Sequence, residues 1–323
     1  MSVVLAADVG ATKVLLQARD TDSQTVLAEA RYLSKGYPSL TVMLTQFLAD
    51  YPLPTIDAAV FGVPGPVSGR VANLTNLPWR VDADELANDG VLGQVALVND
   101  FYAAARGVDA LQPGDCVSLQ PGEPDPNGNR LVIGAGSGLG VAPVKNCDGR
   151  FFPQPSEGGH IDFAPVNDVQ IKILTWLQQK WSHVSYERLL SGEGLETLYH
   201  FYSIQSHGHG RKRMRAADMV ESAKTGDAIA QRTLETFTDI YGAYVGNAAL
   251  IWEARAGIFL AGGIAPKIQE WMRSPRFLNA MHNKGRMRAL VTQWPVQLVV
   301  NESVGLLGAL AEAEQLAAQP KTA

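Results

Sequence analysis

Three carboxylates, an amide and an imidazole occur in this chain at strand ends or beside glycines, where a side chain can reach a ligand. Asn99-Asp100 closes an apolar run and precedes Phe101-Tyr102. Glu157-Gly158-Gly159-His160 puts a carboxylate and an imidazole on a glycine-bent segment, and Glu187 lies within Ser185-Tyr186-Glu187-Arg188-Leu189-Leu190-Ser191-Gly192. Asn, Asp, Glu and His offer directional acceptors or paired donor and acceptor groups, so Asn99, Asp100, Glu157, His160 and Glu187 together suit a ligand with several hydroxyls, such as a hexose. Each also has a structural use. Asp100 can cap the helix that follows it, Glu157 and His160 can flank an ordinary Gly-Gly bend, and Glu187 can be a surface charge on an amphipathic helix. Metal ligation is the rival chemistry, but Glu-x-x-His occurs without a second copy and its glycines oppose a helix.

Other segments suit phosphate. Asp8-Val9-Gly10-Ala11-Thr12-Lys13 reads as a hairpin turn whose backbone N–H groups can face phosphate oxygens, with the Thr12 hydroxyl and the Lys13 charge beside them. Asp8 can orient Mg²⁺ through water, and that ion neutralises the terminal phosphates of ATP. Gly134-Ala135-Gly136-Ser137-Gly138-Leu139-Gly140 concentrates more glycine than a turn requires, which predicts close backbone approach of a ligand at Gly136, Ser137 and Gly138. It is neither Gly-x-Gly-x-x-Gly nor a Walker A loop, which would carry a lysine. Ala261-Gly262-Gly263-Ile264-Ala265-Pro266 ends a strand, and Gly262-Gly263 presents bare backbone where a flat adenine ring can lie. A helix-start turn is the other reading of that segment.

These residues need elements to hold them. Val3 to Ala7 and Val14 to Leu16 are apolar runs on either side of a polar turn, a β-hairpin pattern. Ser39 is placed to cap a helix with Leu40, Met43, Leu44, Phe47 and Leu48 on one face. Ala58 to Val63 and Val95 to Val98 read as buried strands, with Asn99-Asp100 at a C-terminal strand end, where open α/β sheets bind ligands. Residues 112 to 130 read as a loop rich in Pro, Gly, Asp and Asn. Beyond it the hairpin pattern recurs at Leu131 to Ala142, which suggests internal duplication. Helical patterns follow at Gln170 to Trp181 and Ala228 to Leu250, with a strand at Ile258 to Leu260. The strand Val296 to Val300 and the helix after Val304 are candidates to return to the first lobe. The resulting division is 1–110 plus about 301–316 as a small α/β domain, 111–300 as a large one, and 317–323 as a flexible tail.

The chain has 323 residues, 46% of them hydrophobic, enough for two cores. A net charge of −5 argues against nucleic acid as a partner. The basic stretch Arg211-Lys212-Arg213 and Arg215, after His207 and His209, reads as a solvated loop. Cys116 and Cys147 fit no metal spacing and read as buried or idle thiols. With neither a leader pattern nor an apolar run of about 18 residues, the chain is expected to be cytoplasmic and away from membranes.

Taken together, Asp8 to Lys13, Asn99-Asp100-Phe101, Gly134 to Gly140, Glu157 to His160, Glu187 to Gly192 and Ala261-Gly262-Gly263 resemble the bacterial glucokinase family from about residue 3 to 312. Gly158 to Pro165 is the most telling stretch. The resemblance implies the actin-like ATPase (ribonuclease H-like) fold, two α/β lobes with a central cleft, usually as a homodimer. It implies ATP and Mg²⁺ as cofactors and glucose or a related hexose as substrate. Asp100 becomes the base, Asn99, Glu157, His160 and Glu187 become sugar ligands, and Asp8, Thr12 and the 136–138 loop face Mg²⁺ and phosphate. Where the family usually has Asp-x-Gly-Gly-Thr-Asn, this chain has Ala11 and Lys13, and Ser137 replaces a usual threonine. Lys13 and Val63-Pro64-Gly65-Pro66 resemble a related repressor and kinase group, whose cysteine-rich zinc motif is absent. Phosphorylation of mannose, fructose or an N-acetylated amino sugar, or non-catalytic sugar sensing, are the alternatives to glucose phosphorylation.

Overall fold

Residues 3 to 9 alternate between two apolar surroundings: Val3, Leu5 and Ala7 enter one buried cluster, while Val4 and Ala6 enter another. A strand covered on both faces requires that pattern. In the computed structural model, which describes residues 2–74, 76–88, 90–208 and 214–319, this segment is β1 (Val3–Val9). The chain divides into two compact units, Met1–Pro113 with Asn301–Ala323, and Gly114–Val300.

In the first unit β1 forms an antiparallel hairpin with β2 (Lys13–Asp20), and β3 (Val26–Leu33) pairs outside β2. On its other side β1 runs parallel to β4 (Ile56–Val63). A small antiparallel sheet follows, β5 (Val67–Ser68), β6 (Val71–Asn73) and β7 (Arg80–Asp82). Then β8 (Leu92–Asn99) completes the main sheet in the order β3-β2-β1-β4-β8. The helix Leu40–Asp50, capped by the Ser39 side chain on Val42 N, buries Leu40, Met43, Leu44 and Phe47 against one face, as the sequence pattern predicts. The helices Asp100–Gly107 and Val304–Ala317 cover the other face through Ala103, Leu306, Ala309, Leu310 and Ala313.

The second unit repeats this plan. Strand β10 (Arg130–Ala135) forms a hairpin with β11 (Leu139–Cys147), β12 (Arg150–Pro153) pairs outside it, and β13 (Gly257–Ala261) and β14 (Val296–Val299) continue in parallel from β10. The series β12-β11-β10-β13-β14 thus matches β3-β2-β1-β4-β8, with β9 (Cys116–Gln120) added antiparallel at the edge. The duplication suggested by two glycine-rich hairpins is therefore present as topology.

Two readings of the sequence change. The stretch 112 to 130 is not a loop throughout, because β9 lies inside it, with Val117 and Leu119 packed on the core and the buried Gln120 amide donating to the Val291 and Trp294 carbonyls. A five-residue edge strand offers too little alternation to outweigh its Pro and Gly neighbours. The strand from Val296 also stays with the second unit, between β13 and β9, and only the helix after it joins the first. Residues 209 and 211 to 213 of the basic stretch, and 320 to 323 of the tail, lie outside the described residues. The thiols are free, Cys147 exposed and Cys116 half-buried. Among the described residues no helix is long and apolar enough to cross a membrane.

The helices 100–107 and 304–317 meet through glycine. A Cβ on Gly308 would overlap the Ala103 carbonyl, and one on Gly107 would overlap that of Val304. In an unhindered helix interior Gly→Ala gains about 1 kcal/mol, but here overpacking costs about 1–3 kcal/mol. Gly308→Ala is therefore expected to lower the thermal unfolding midpoint, measured by circular dichroism.

Candidate active site

Parallel strand ends hold the first set of residues. Asp8 pairs in register with Gly62 of β4, and Val63 with Asn99 of β8, so Asp8, Asn99 and Asp100 share one edge of the sheet. Gly62 lies between them, and a Cβ there would stand 3.3 Å from Ala103 Cβ and 4.0 Å from Asp100 Cα.

The helix cap falls on Asn99 rather than on Asp100. Asn99 Oδ1 accepts the Phe101 and Tyr102 N–H groups at 2.9 and 3.2 Å, and its Nδ2 donates to the Gly65 carbonyl at 3.1 Å. An amide has two N–H donors, so Asn99 keeps one further N–H for a ligand. The Pro64-Gly65-Pro66 turn that receives it needs its glycine, at φ +103°. Asp100 is the first helical residue, half-buried, and its Oδ1 accepts Phe101 N–H at 2.9 Å.

Asp8 packs against the start of the 304–317 helix, where a Cβ on Gly305 would stand 3.0 Å from Asp8 Oδ2. Burial pushes its carboxyl up to about 6, against the opposing pull of Lys13. The turn after it is tied from behind by the buried Ser34, whose Oγ donates to the Gly10 carbonyl at 2.7 Å and whose N–H donates to that of Thr12 at 3.0 Å. Ala11 carries no left-handed strain, since among the described residues only Gln24, Asp148 and Glu253 have positive φ without being glycine. Thr12 is exposed. Lys13 is paired, its Nζ 2.6 Å from Glu302 Oε2. Sequence reading missed Ser34, Glu302 and Gly305, because each meets the turn or Asp8 only through the fold.

The second unit holds the remaining residues. Gly136 N–H donates to the Gly138 carbonyl at 2.8 Å, closing the turn between β10 and β11. The end of β13 lies beside it: Ile264 N–H donates to the Ala135 carbonyl at 3.1 Å, and Gly262, at φ +82°, would drive a Cβ to 2.6 Å from the same oxygen. Gly263 has open space around it. The bare backbone of 136–138 and 262–263 is thus brought together, as anion and flat-ring binding require.

The glycines of 134–140 have several causes. Gly134 and Gly140 face each other in the β10–β11 ladder. At Gly138 the close neighbour is the Glu187 carboxylate, with Oε2 2.5 Å from the point a Cβ would occupy. That oxygen accepts Leu139 N–H at 2.9 Å. Glu187 lies on the 3₁₀ turn Tyr186–Arg188, not on an amphipathic helix.

His160 joins the two remaining carboxylates, with Nε2 3.8 Å from Glu157 Oε2 and Nδ1 3.9 Å from Glu187 Oε1. These separations exceed hydrogen bonds. A cavity of about 280 Å³ abuts His160 and Glu187, lined further by Trp181, Ser182, His183, Ser185 and Arg188. The loop is supported from below by Tyr244, whose hydroxyl donates to the Gly158 carbonyl at 2.7 Å and whose ring lies 4.4 Å from that of Tyr186. Burial raises the Tyr244 phenol, keeping it a donor. Among the described residues no group of three or more His, Cys, Asp and Glu is placed to hold a metal ion directly.

The glucokinase family model matches residues 5–316. A glucokinase of Nostoc sp. strain PCC 7120 is 34% identical over 96% of this chain and 98% of its own, and that of Cronobacter sakazakii is 34% identical over 98% of both. The crystal structure of a glucokinase from an Antarctic psychrotroph superposes with a TM-score of 0.83 at 30% identity, covering 98% of this chain and 99% of that one. The fold is that of the actin-like ATPases, and the chain belongs to the glucokinase family.

Proposed function

We propose that Asp100 is the base in this chain's reaction, the ATP-dependent phosphorylation of glucose at its 6-hydroxyl to glucose 6-phosphate and ADP, the first step of glycolysis. The reaction itself follows from the family. The observation that carries the assignment of Asp100 is its place: a half-buried carboxylate on the first residue of the 100–107 helix, directly after the Asn99 cap, at the strand edge it shares with Asp8.

A sugar hydroxyl is a poor nucleophile at neutral pH. A carboxylate within hydrogen-bond reach accepts its proton while the new O–P bond forms and the bond from the γ-phosphorus to ADP breaks. Asn99, through its remaining N–H, and Glu157, His160 and Glu187 would hold the other hydroxyls. The turn Gly10-Ala11-Thr12-Lys13 and the turn Gly136-Ser137-Gly138 would hold phosphates, with Gly262-Gly263 under the adenine. The Lys13–Glu302 pair is exposed and weak, so Lys13 can exchange its carboxylate for a phosphate.

Asp8 suits Mg²⁺, because that ion keeps several waters and takes one or two carboxylates together with substrate phosphates. When bound, the ion supplies neutralisation of phosphate charge. We also propose a cytoplasmic homodimer, on the family resemblance.

Asp100→Asn is expected to lower kcat by about 10²–10⁴-fold while glucose still binds, measured by a coupled assay and by calorimetry. Near-normal turnover would remove Asp100 from the base role.

Asp8 generates a pH prediction for the protein without Mg²⁺. Its folded pKa, about 6, lies above the ordinary 3.8, so the folded state holds an extra proton between those values and loses stability as pH rises through that window. Asp8→Asn should therefore stabilise the metal-free protein by about 1–3 kcal/mol near pH 7.5 and leave it unchanged near pH 4, read from urea unfolding, while lowering kinase activity. An equal effect at both pH values would contradict the burial of this charge.

A further inference from the structure

The Glu187 carboxylate belongs to two sets of residues at once. Its Oε2 accepts the N–H of Leu139, the residue directly after Gly136-Ser137-Gly138, and fills the space that a Gly138 Cβ would need. Its Oε1 stands 3.9 Å from Nδ1 of His160. Two further contacts bind the same segments together. Gly192 N–H donates to the Gly136 carbonyl at 2.9 Å, and Gly159, beside His160, lacks the Cβ that would overlap the Leu139 carbonyl. The turn assigned to phosphate is therefore held between the segments assigned to sugar, and Glu187 is the side chain that reaches both.

The two oxygens of a carboxylate cannot move independently. A sugar hydroxyl that donates to Oε1 fixes the plane of the group, and with it the position of Oε2 against Leu139 N–H. Once sugar has ordered Glu187, the nucleotide meets a turn that is already set, and part of the ordering cost no longer opposes its binding. Thermodynamic linkage makes the effect mutual: nucleotide must tighten sugar by the same factor.

We propose that Glu187 is a positioning residue for the nucleotide turn as well as a sugar ligand, and that through it hexose and ATP strengthen each other's binding within the unit Gly114–Val300. The proposal rests on the reading of Glu157, His160 and Glu187 as the sugar set and of Gly136 to Gly138 as a phosphate turn. It makes crossed demands: a change at Glu187 must disturb nucleotide bound without sugar, and a change at Gly138 must disturb sugar bound without nucleotide.

Calorimetry on the full chain tests it, with glucose, with a non-hydrolysable ATP analogue and Mg²⁺, and with each in the presence of the other. In the wild type each ligand is expected to tighten the other by one common factor, about fivefold or more. Glu187→Ala should abolish that factor and weaken the ATP analogue measured without sugar, whereas Glu187→Gln, which keeps an acceptor for Leu139 N–H, should restore nucleotide affinity. Gly138→Ala should weaken glucose measured without nucleotide. His160→Ala should weaken glucose and leave the coupling factor in place, and thermal unfolding of each variant separates these effects from loss of fold. Independent binding of the two ligands in the wild type, or an unchanged factor in folded Glu187→Ala, would overturn the proposal. Failure of the wild type to bind glucose at all would overturn the sugar-site reading beneath it, a result distinct from independent binding.

Discussion

Close backbone approach at strand ends is the constraint on which both units depend. Gly62 lets Ala103 come up to the edge of β4, Gly305 admits the Asp8 carboxylate, Gly262 lies against the Ala135 carbonyl, and Gly138 makes room for Glu187. A Cβ at Gly262 would overlap that carbonyl, one at Gly138 would displace the Glu187 carboxylate, and one at Gly62 or Gly305 would crowd its neighbour. Open α/β sheets bind ligands outside the carboxyl ends of their parallel strands, and here the glycines hold acidic side chains and bare backbone at those ends. The repeated topology, a hairpin followed by parallel strands, produces the same opportunity twice.

Charge placement then follows from burial and hydrogen bonding. Asp8 sits where desolvation outweighs the attraction of Lys13, so the folded protein accepts a cost at neutral pH. Asn99 spends most of its amide on the helix and on Gly65, which orients the segment carrying Asp100. Glu187 is fixed on one oxygen by Leu139 N–H and presents the other towards His160. Asn99 and Glu187 are thus each tied to the fold through part of their polar group.

What the sequence disclosed was local. The hairpins, the Ser39 cap, the helix from Leu40 and the strand ending at Asn99 were legible because periodicity and turn chemistry act over a few residues. The family resemblance then assembled the site residues without their geometry. What escaped was set by distant partners. Ser34 tying the Gly10 turn, Glu302 pairing with Lys13, Gly305 packing on Asp8 and Leu139 N–H holding Glu187 all join residues far apart in the chain. Strand β9 was hidden for another reason: its ladder depends on β14, some way along the chain, while its own residues are few and flanked by turn formers. The cap at Asn99 rather than Asp100 was a one-residue shift that propensity alone does not resolve, since both side chains make good caps.

The central claim is that these strand ends serve phosphoryl transfer from ATP to glucose. Its most direct measurement is turnover of a hexose panel by the purified full chain with Mg²⁺ and ATP, following ADP and sugar phosphate together. One ADP is expected for each glucose 6-phosphate formed, with glucose turned over most efficiently. No turnover of any hexose in the panel would contradict it.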